Sequence, residues 1–203
     1  MPKRLRDEPI YLAPEILAYR GANNAPCVVD ERTGRSLDPS SIDDKICIYE
    51  RQVKEWFLER AKSFLRGRYS KYNGFAVMMI ATSYIEGVEQ YRKGRPSNGE
   101  SKAFFVAGMK RIFGYSTEDE TNLKNLYTHL RCGLFHNGMS GDAVVLSRKF
   151  SAPLTFSNRG TMDINPTRFL NAVCQDFEAY VKQLRNSENI ELRIHFGNMF
   201  NVV

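Results

Sequence analysis

A permanently charged side chain and a proton-carrying side chain lie close together near the end of one predicted helix. The stretch LRCGLFHNG, residues 130–138, contains Arg131 and His136 with four residues between them. A guanidinium is a planar fork that binds phosphate oxygens, and histidine transfers protons near neutral pH. The pair therefore indicates chemistry on a phosphate ester, with both residues as candidate catalytic groups. The structural alternative is a surface arginine and a histidine that stabilises the negative end of the helix dipole.

The spacing of this pair imposes a geometric condition. In a regular α-helix, positions five apart lie about 140° apart around the axis, so Arg131 and His136 cannot both point squarely at one ligand. One solution is that the last turn loosens near Asn137 and Gly138 and swings His136 round. The other is that two copies of the helix meet across a two-fold axis and share one site, which predicts a homodimer.

The helix that carries the pair is predicted from its ends and from its apolar stripe. Thr117 and Glu120 fit a capping box, and Asn137 followed by Gly138 is a typical stop signal. Apolar residues recur at spacings of three and four between these ends, at Leu123, Leu126, Tyr127, Leu130 and Leu134. We expect this stripe to face the core.

The remaining pattern predicts a mainly α fold, an antiparallel helical bundle with a small β excursion between the motif helix and the last helix. Ser41 is a candidate N-cap of the first helix, and Asn165 of the last. Three short strands, AVVLS, PLTF and TMDI, are predicted at about residues 143–164. The other helices are predicted at about residues 42–66, 74–92 and 102–113 and from Pro166 onwards.

The predicted domain organisation has three parts. Residues 1–40 are rich in proline and predict an extended N-terminal arm, with one short helix near Pro14–Tyr19. Residues 41–187 predict the helical domain with its β insertion. Residues 188–203 form a C-terminal tail, in which the alternation of IELRIHFGNMF favours a strand.

Positive charge is concentrated in one part of the chain. The formal net charge is +6, and residues 45–111 carry fourteen basic and six acidic side chains. This surplus favours a polyanion such as RNA, although a solvated helical surface can carry it by chance. One loop within it interleaves basic and aromatic side chains, which suits phosphate contacts and base stacking, or simply a polar connection between helices. Its candidate RNA contacts are Arg66, Arg68, Tyr69, Lys71 and Tyr72.

Several other classes of protein are not indicated by the sequence. The four cysteines form no CxxC pair, and no metal-binding motif or glycine-rich phosphate loop is present, so we expect neither a metal nor a cofactor. No apolar run approaches the length needed to cross a bilayer. The charged stretch MPKRLRDEPI does not resemble a signal peptide, which predicts a cytoplasmic protein without a membrane partner.

The pair and its surroundings resemble one known family. The spacing Arg-x4-His near a helix end resembles the Rx4-6H motif of the HEPN superfamily, and LRCGLFHNG is similar to its lRNglfH pattern. The later strands and the INPTRFL helix start resemble the region that follows the motif in bacterial Apea-like members. The resemblance covers residues 42–186 in helix order and is specific over residues 126–138. It departs at Cys132, where many active members have a polar residue, often asparagine.

The resemblance implies an all-α, commonly dimeric domain that cleaves RNA without a metal, and a role as a toxin or phage-defence effector with an inhibitory protein partner. Arg131 and His136 would be catalytic, with Cys132, Asn137 and Glu86 as candidate supporting residues. Glu86 either orients Arg131 from the adjacent helix or marks where its own helix reaches solvent. The alternative functions are a non-catalytic HEPN-like module that binds nucleic acid or protein, and a helical scaffold.

Overall fold

A computed structural model of the chain describes residues 5, 7–22, 24–68 and 70–202. Within these residues the fold is mixed α/β, with six helices, a four-stranded antiparallel sheet near the N-terminus and a small three-stranded sheet. The prediction of a mainly α fold is therefore right for the helices and the β excursion but missed the first sheet. The chain divides into two compact units: the first is Met1–Glu59, Tyr91–Pro96 and Ala179–Val203, and the second is Arg60–Gln90 and Ser97–Glu178.

The first sheet occupies most of the segment that was predicted as an extended arm. Its strands pair antiparallel in chain order, and Pro14 lies in the turn between the first two. The short helix predicted near Pro14–Tyr19 is wrong, because this segment enters the second strand, whose Ile16 and Ala18 point into the core. Pro26 opens a strand, a position where its missing N–H does little harm. The strands are β1 Ile10–Ala13, β2 Ile16–Arg20, β3 Pro26–Asp30 and β4 Arg35–Leu37.

The first helix, α1, has three successive segments: α-helical Ile42–Arg51, π-helical Gln52–Leu58 and α-helical Glu59–Phe64. The predicted N-cap is confirmed, because Ser41 Oγ accepts a hydrogen bond from the Asp44 amide at 3.5 Å. In the first unit, Arg51 forms an ion pair with Asp30 at 2.6 Å and so connects α1 to strand β3. Both side chains are largely buried, so this pair anchors the sheet to the helix.

The C-terminal tail forms a helix rather than the predicted strand. Phe196 and Phe200 of this segment are buried, and both pack around Tyr49 within an aromatic cluster of the first unit. Phe196 lies within the helix and Phe200 directly follows its last residue, so the apparent alternation of the tail was misleading. This helix, α6, spans Ile190–Met199.

Four further helices carry residues of the second unit, which also contains the end of α1. Their bounds are α2 Gly74–Lys93, α3 Ser101–Phe113, α4 Glu120–Leu126 continuing as π-helical Tyr127–Asn137, and α5 Pro166–Arg185. The predicted N-cap of α5 is confirmed, since Asn165 Oδ1 accepts from the Thr167 and Arg168 amides. The capping box predicted for α4 is wrong. Its Glu120 carboxylate instead pairs with Lys110 and Lys124, which lower the pKa of Glu120 to about 2.

The three short strands between α4 and α5 are confirmed. They are β5 Val144–Leu146, β6 Leu154–Phe156 and β7 Met162–Ile164, in the order β5-β7-β6. Strand β7 pairs in parallel with β5 and antiparallel with β6. The Asn165 side chain donates to the carbonyls of Arg148 and Phe150, at 3.0 and 2.7 Å, and so ties the loop after β5 to the start of α5.

Candidate functional site

A π-helical segment presents the Arg131–His136 pair. The α-helix that begins at Glu120 changes at Tyr127 to π-helical hydrogen bonding, which continues to Asn137. Each hydrogen bond of a π-helix spans five residues, so side chains at i and i+5 come close to one face. The loosened turn considered for the sequence is therefore present, and it extends over the whole segment rather than the last turn alone. Gly138 ends the segment in the left-handed conformation at φ 70°, as the stop signal predicted.

Glu86 provides the carboxylate that faces Arg131. The Glu86 side chain comes from α2 and lies 2.9 Å from an Arg131 guanidinium nitrogen. Glu86 is 10% exposed and Arg131 is 20% exposed, so the pair is shielded but not sealed. The alternative that Glu86 marks where its helix reaches solvent is wrong. Glu86 instead contacts Arg131 from the adjacent helix, which is the contact that the other prediction requires.

This ion pair lacks complete hydrogen bonding. Among the described residues, Arg131 Nε and Glu86 Oε2 are buried atoms without a well-aligned hydrogen-bond partner, despite the 2.9 Å contact. The contact is therefore electrostatic rather than a bidentate fork. An incompletely satisfied buried polar group is costly, and such groups are concentrated at sites under functional selection.

Two aromatic rings hold the guanidinium from either side along the helix. The Arg131 guanidinium carbon lies 5.6 Å from the Tyr127 ring centre and 4.7 Å from that of Phe135. Tyr127 is in turn held by the edge of Phe105 from α3, at 5.4 Å between ring centres. Cation–π attraction and this packing restrict the rotation of the arginine side chain. A restricted guanidinium is pre-organised to bind an anion.

Cys132 interacts with Tyr127, which lies five positions before it. Burial of the tyrosine is the main cause that raises its pKa, and contact with the Cys132 thiol and the charge of Glu86 add to this effect. The positive charge of Arg131 opposes it. Cys132 is half-buried, so the thiol belongs to the inner part of the site rather than to its rim.

His136 and Asn137 lie at the exposed end of the segment. Both side chains are solvent-exposed, so the imidazole is accessible to a ligand. Two apolar neighbours are also exposed, Phe135 at 43% and Met139 at 63%. Exposed apolar side chains beside a polar site are typical of surfaces that contact another molecule.

The chain after the π-helix folds back against it. The Gly141 amide donates to the His129 carbonyl at 2.7 Å. A Cβ at Gly133 would lie 2.7 Å from the Met139 carbonyl oxygen, so this close approach requires glycine. The returning segment fixes the end of the helix and thereby the position from which His136 projects.

The structure does not place the predicted RNA-contact loop beside this pair. Arg66, Arg68, Lys71 and Tyr72 are exposed, whereas Tyr69 lies outside the described residues. The loop ends where α2 begins at Gly74, and Glu86 is twelve residues further along that helix, about 18 Å away at 1.5 Å per residue. The helix predicted at residues 74–92 already implied this separation.

Within the described ranges, no three His, Cys, Asp or Glu side chains are grouped closely enough to hold a metal ion. Among the same residues, no helix combines the length and apolar character that crossing a bilayer requires. No protein-family model, curated protein or solved structure matches the chain.

Proposed function

We propose that this chain is a metal-independent endoribonuclease with a HEPN-like helical domain, acting as a homodimer. The observation that carries the proposal is the π-helical segment, which brings positions 131 and 136 towards one face and holds Arg131 between two rings against Glu86. The motif resemblance adds a role in toxicity or phage defence in the cytoplasm, with an inhibitory protein partner.

The reaction uses a nucleophile that RNA itself carries. His136 accepts the proton of a ribose 2′-hydroxyl, and the oxygen forms a bond to the adjacent phosphorus. The bond from phosphorus to the 5′-oxygen then breaks, and a protonated histidine donates its proton to that oxygen. The products are a 2′,3′-cyclic phosphate and a 5′-hydroxyl. The proton count balances, because one proton is accepted and one is donated in each cycle.

Arg131 stabilises the charge that develops on the phosphate oxygens. A guanidinium remains protonated throughout and offers several N–H donors in one plane. The Glu86 carboxylate and the rings of Tyr127 and Phe135 position it before the substrate binds. Glu86 is therefore a positioning residue in this proposal.

The homodimer supplies the second proton-transfer group. One chain contributes one His136, whereas the reaction requires both a base and an acid at a single phosphate. The exposed side chains of Phe135 and Met139 provide an apolar surface beside His136 for a two-fold contact. Light scattering at micromolar concentration should give the mass of a dimer. A monomer at every concentration would remove the shared-site part of the proposal.

The products test the proposal directly. A labelled single-stranded RNA is incubated with the protein in the presence of a chelator, and the new ends are identified by mass. We expect cyclic phosphate and 5′-hydroxyl ends. Cleavage that the chelator abolishes, or 5′-phosphate ends, would contradict the mechanism.

The same assay tests the role of the guanidinium. Arg131→Lys keeps the charge but loses the planar fork, so its cleavage rate should fall at least about tenfold. Arg159→Lys, on an exposed turn, is the matched control.

A second candidate function is a non-catalytic module that binds nucleic acid or protein through the same face. The observations that favour it are the Glu86 carboxylate, which balances much of the Arg131 charge, and the thiol of Cys132 in place of a polar side chain. This candidate predicts binding without any cyclic phosphate product, so the same assay separates the two functions.

A further inference from the structure

A basic groove in the second unit lies outside the Arg131–His136 site. Its volume is about 270 Å³. Its polar lining consists of three cations and two hydroxyls, and no carboxylate is among the lining residues. The polar residues of this basic groove are Ser70, Lys71, Ser147, Arg148 and Lys149; Leu65, Gly74, Leu146 and Pro166 complete it.

The two loops that form the groove are tied together. Arg148 reaches across to Ser70 and donates to its hydroxyl at 3.1 Å. The backbone of the second loop is fixed in turn, because the Asn165 side chain donates to the Arg148 carbonyl and the Lys149 amide donates to Ser147 Oγ. The cations are therefore presented on an ordered frame, which lowers the entropy cost of binding an anion.

The backbone adds to the positive field. Helices α2 and α5 begin at Gly74 and Pro166, and both residues line the groove. A Cβ at Gly74 would lie 3.3 Å from the Pro166 ring, so the two helix N-termini meet at this wall. Each carries the positive end of a helix dipole, which reinforces Lys71, Arg148 and Lys149.

An exposed aromatic ring lies next to Lys71, one of the three cations. Tyr72 is 67% exposed, and Lys71 Nζ is 4.8 Å from its ring centre. Arg66 and Arg68 are exposed on the same loop. Cations that bind phosphates next to an aromatic ring that can stack on a base are the combination used to bind single strands without sequence preference.

We infer that the basic groove binds the phosphate backbone of single-stranded RNA, with Tyr72 stacking on a base. The inference rests on the proposed function, because it takes the strand that is cleaved to be the ligand. The groove lies about 18 Å along α2 from Glu86, which is farther than one nucleotide can span. It therefore holds a part of the substrate that is remote from the cleaved bond.

The test measures binding separately from cleavage. All variants are made in the full chain carrying His136→Ala, and the affinity for a short labelled single-stranded RNA is measured by fluorescence anisotropy between about 50 and 200 mM salt. Arg148→Ala with Lys149→Ala should weaken binding about tenfold or more, since a charge-assisted hydrogen bond is worth at least that factor. Loss of two phosphate contacts should lower the salt slope by about 1.4, at roughly 0.7 per contact.

The matched control removes the same charge elsewhere, with Arg159→Ala and Lys182→Ala at exposed positions. Equal weakening by the control pair would overturn the assignment of RNA binding to the groove, because binding would then follow net charge alone.

Tyr72→Ala should also weaken binding while Tyr72→Phe should not, and neither exposed substitution disturbs the core. Unchanged affinity in Tyr72→Ala, or equal affinity for double-stranded DNA, would overturn the assignment to single strands. If the groove variants bind RNA more weakly but the wild-type chain cleaves no RNA, the groove remains an RNA-binding site and the proposed ribonuclease function is wrong.

Discussion

The charge of Arg131 is balanced by a carboxylate from a neighbouring helix, and this pairing has an energetic consequence. Glu86→Gln leaves the guanidinium largely shielded and without its counter-charge. Removing one partner of a shielded ion pair leaves an uncompensated charge, and this costs more free energy than the intact pair contributes. We therefore expect the free energy of unfolding to fall by about 2 kcal/mol. Urea denaturation measures this loss, with the exposed Glu118→Gln as the matched control.

If Glu86 has a purely structural role, Glu86→Gln should lower only the stability of the protein. A positioning role should in addition lower kcat and kcat/KM for RNA at a temperature where the variant is folded, because Arg131 is no longer held for the charge that develops on the phosphate oxygens. An unchanged kcat together with reduced stability would contradict the positioning role.

The thiol of Cys132 limits what the inner part of the site can donate. A thiol is a weak hydrogen-bond donor, whereas an asparagine amide donates and accepts strongly. Cys132→Asn should therefore cleave RNA faster than the wild type, as measured by initial rates at saturating RNA. Cys132→Ala is the control for loss of the thiol alone. A rate for Cys132→Asn no higher than for the wild type would show that this position does not limit activity.

At the scale of the element, the returning segment after the π-helix should be sensitive to a single methyl group. Gly133→Ala places a Cβ 2.7 Å from the Met139 carbonyl, so the backbone must move. We expect the free energy of unfolding to fall by about 1–3 kcal/mol, which is the usual cost of overpacking. Gly87→Ala is the matched control, because nothing lies within 4 Å of its Cβ. Helix propensity should make that control slightly more stable. Equal thermal stability of the two variants would contradict the close packing.

The connection between strand β3 and helix α1 should make stability depend on pH. Hydrogen bonds from Arg51 hold the pKa of Asp30 below its ordinary value. A lowered folded-state pKa means that the stabilisation is complete above the unfolded value, about 3.9, and is lost as the pH falls through the folded value. The free energy of unfolding of the wild type, measured by urea denaturation, should fall more between pH 7 and pH 3 than that of Asp30→Asn. Asp142→Asn, at an exposed position, should retain the wild-type difference.

The predictability of each element follows from its length and its pattern. The helices of the second unit could be predicted because apolar residues recur every three or four positions along them, and α5 has a clear N-cap at Asn165. The first sheet could not, because prolines recur through residues 1–40 and no period is sustained there, which favoured an extended arm. The alternation in the tail had the opposite effect and suggested a strand, whereas Ile190–Met199 is helical and buries Phe196.

The candidate site was predictable in its residues but not in its geometry. The types and spacing of Arg131 and His136 indicate their chemistry, and Glu86 is conspicuous as a carboxylate within an apolar helix. No pattern of residues marks a π-helix, so only the poor fit of the five-residue spacing to an α-helix hinted at it. The basic groove combines loops that are almost eighty residues apart in the chain. Only the tertiary fold brings Arg148 to Ser70.

At the scale of the whole molecule, the proposed function makes metal-independent cleavage depend on the exposed imidazole of His136, at the end of α4. His136→Ala removes the proton-transfer group, a contribution usually worth about 10²- to 10⁴-fold in rate. His129→Ala is the matched control, because this exposed histidine is seven positions earlier on the same helix. Both variants should keep the thermal stability of the wild type to within a few degrees.

The most direct measurement is the initial rate of RNA cleavage, with chelator present, for the wild-type protein and these two variants purified in parallel. We expect the rate of His136→Ala to be at least about a hundredfold below that of the wild type, while His129→Ala retains most of the activity. Equal rates for His136→Ala and the wild type would contradict the central role of His136 and would assign any cleavage to another residue or to a contaminating nuclease.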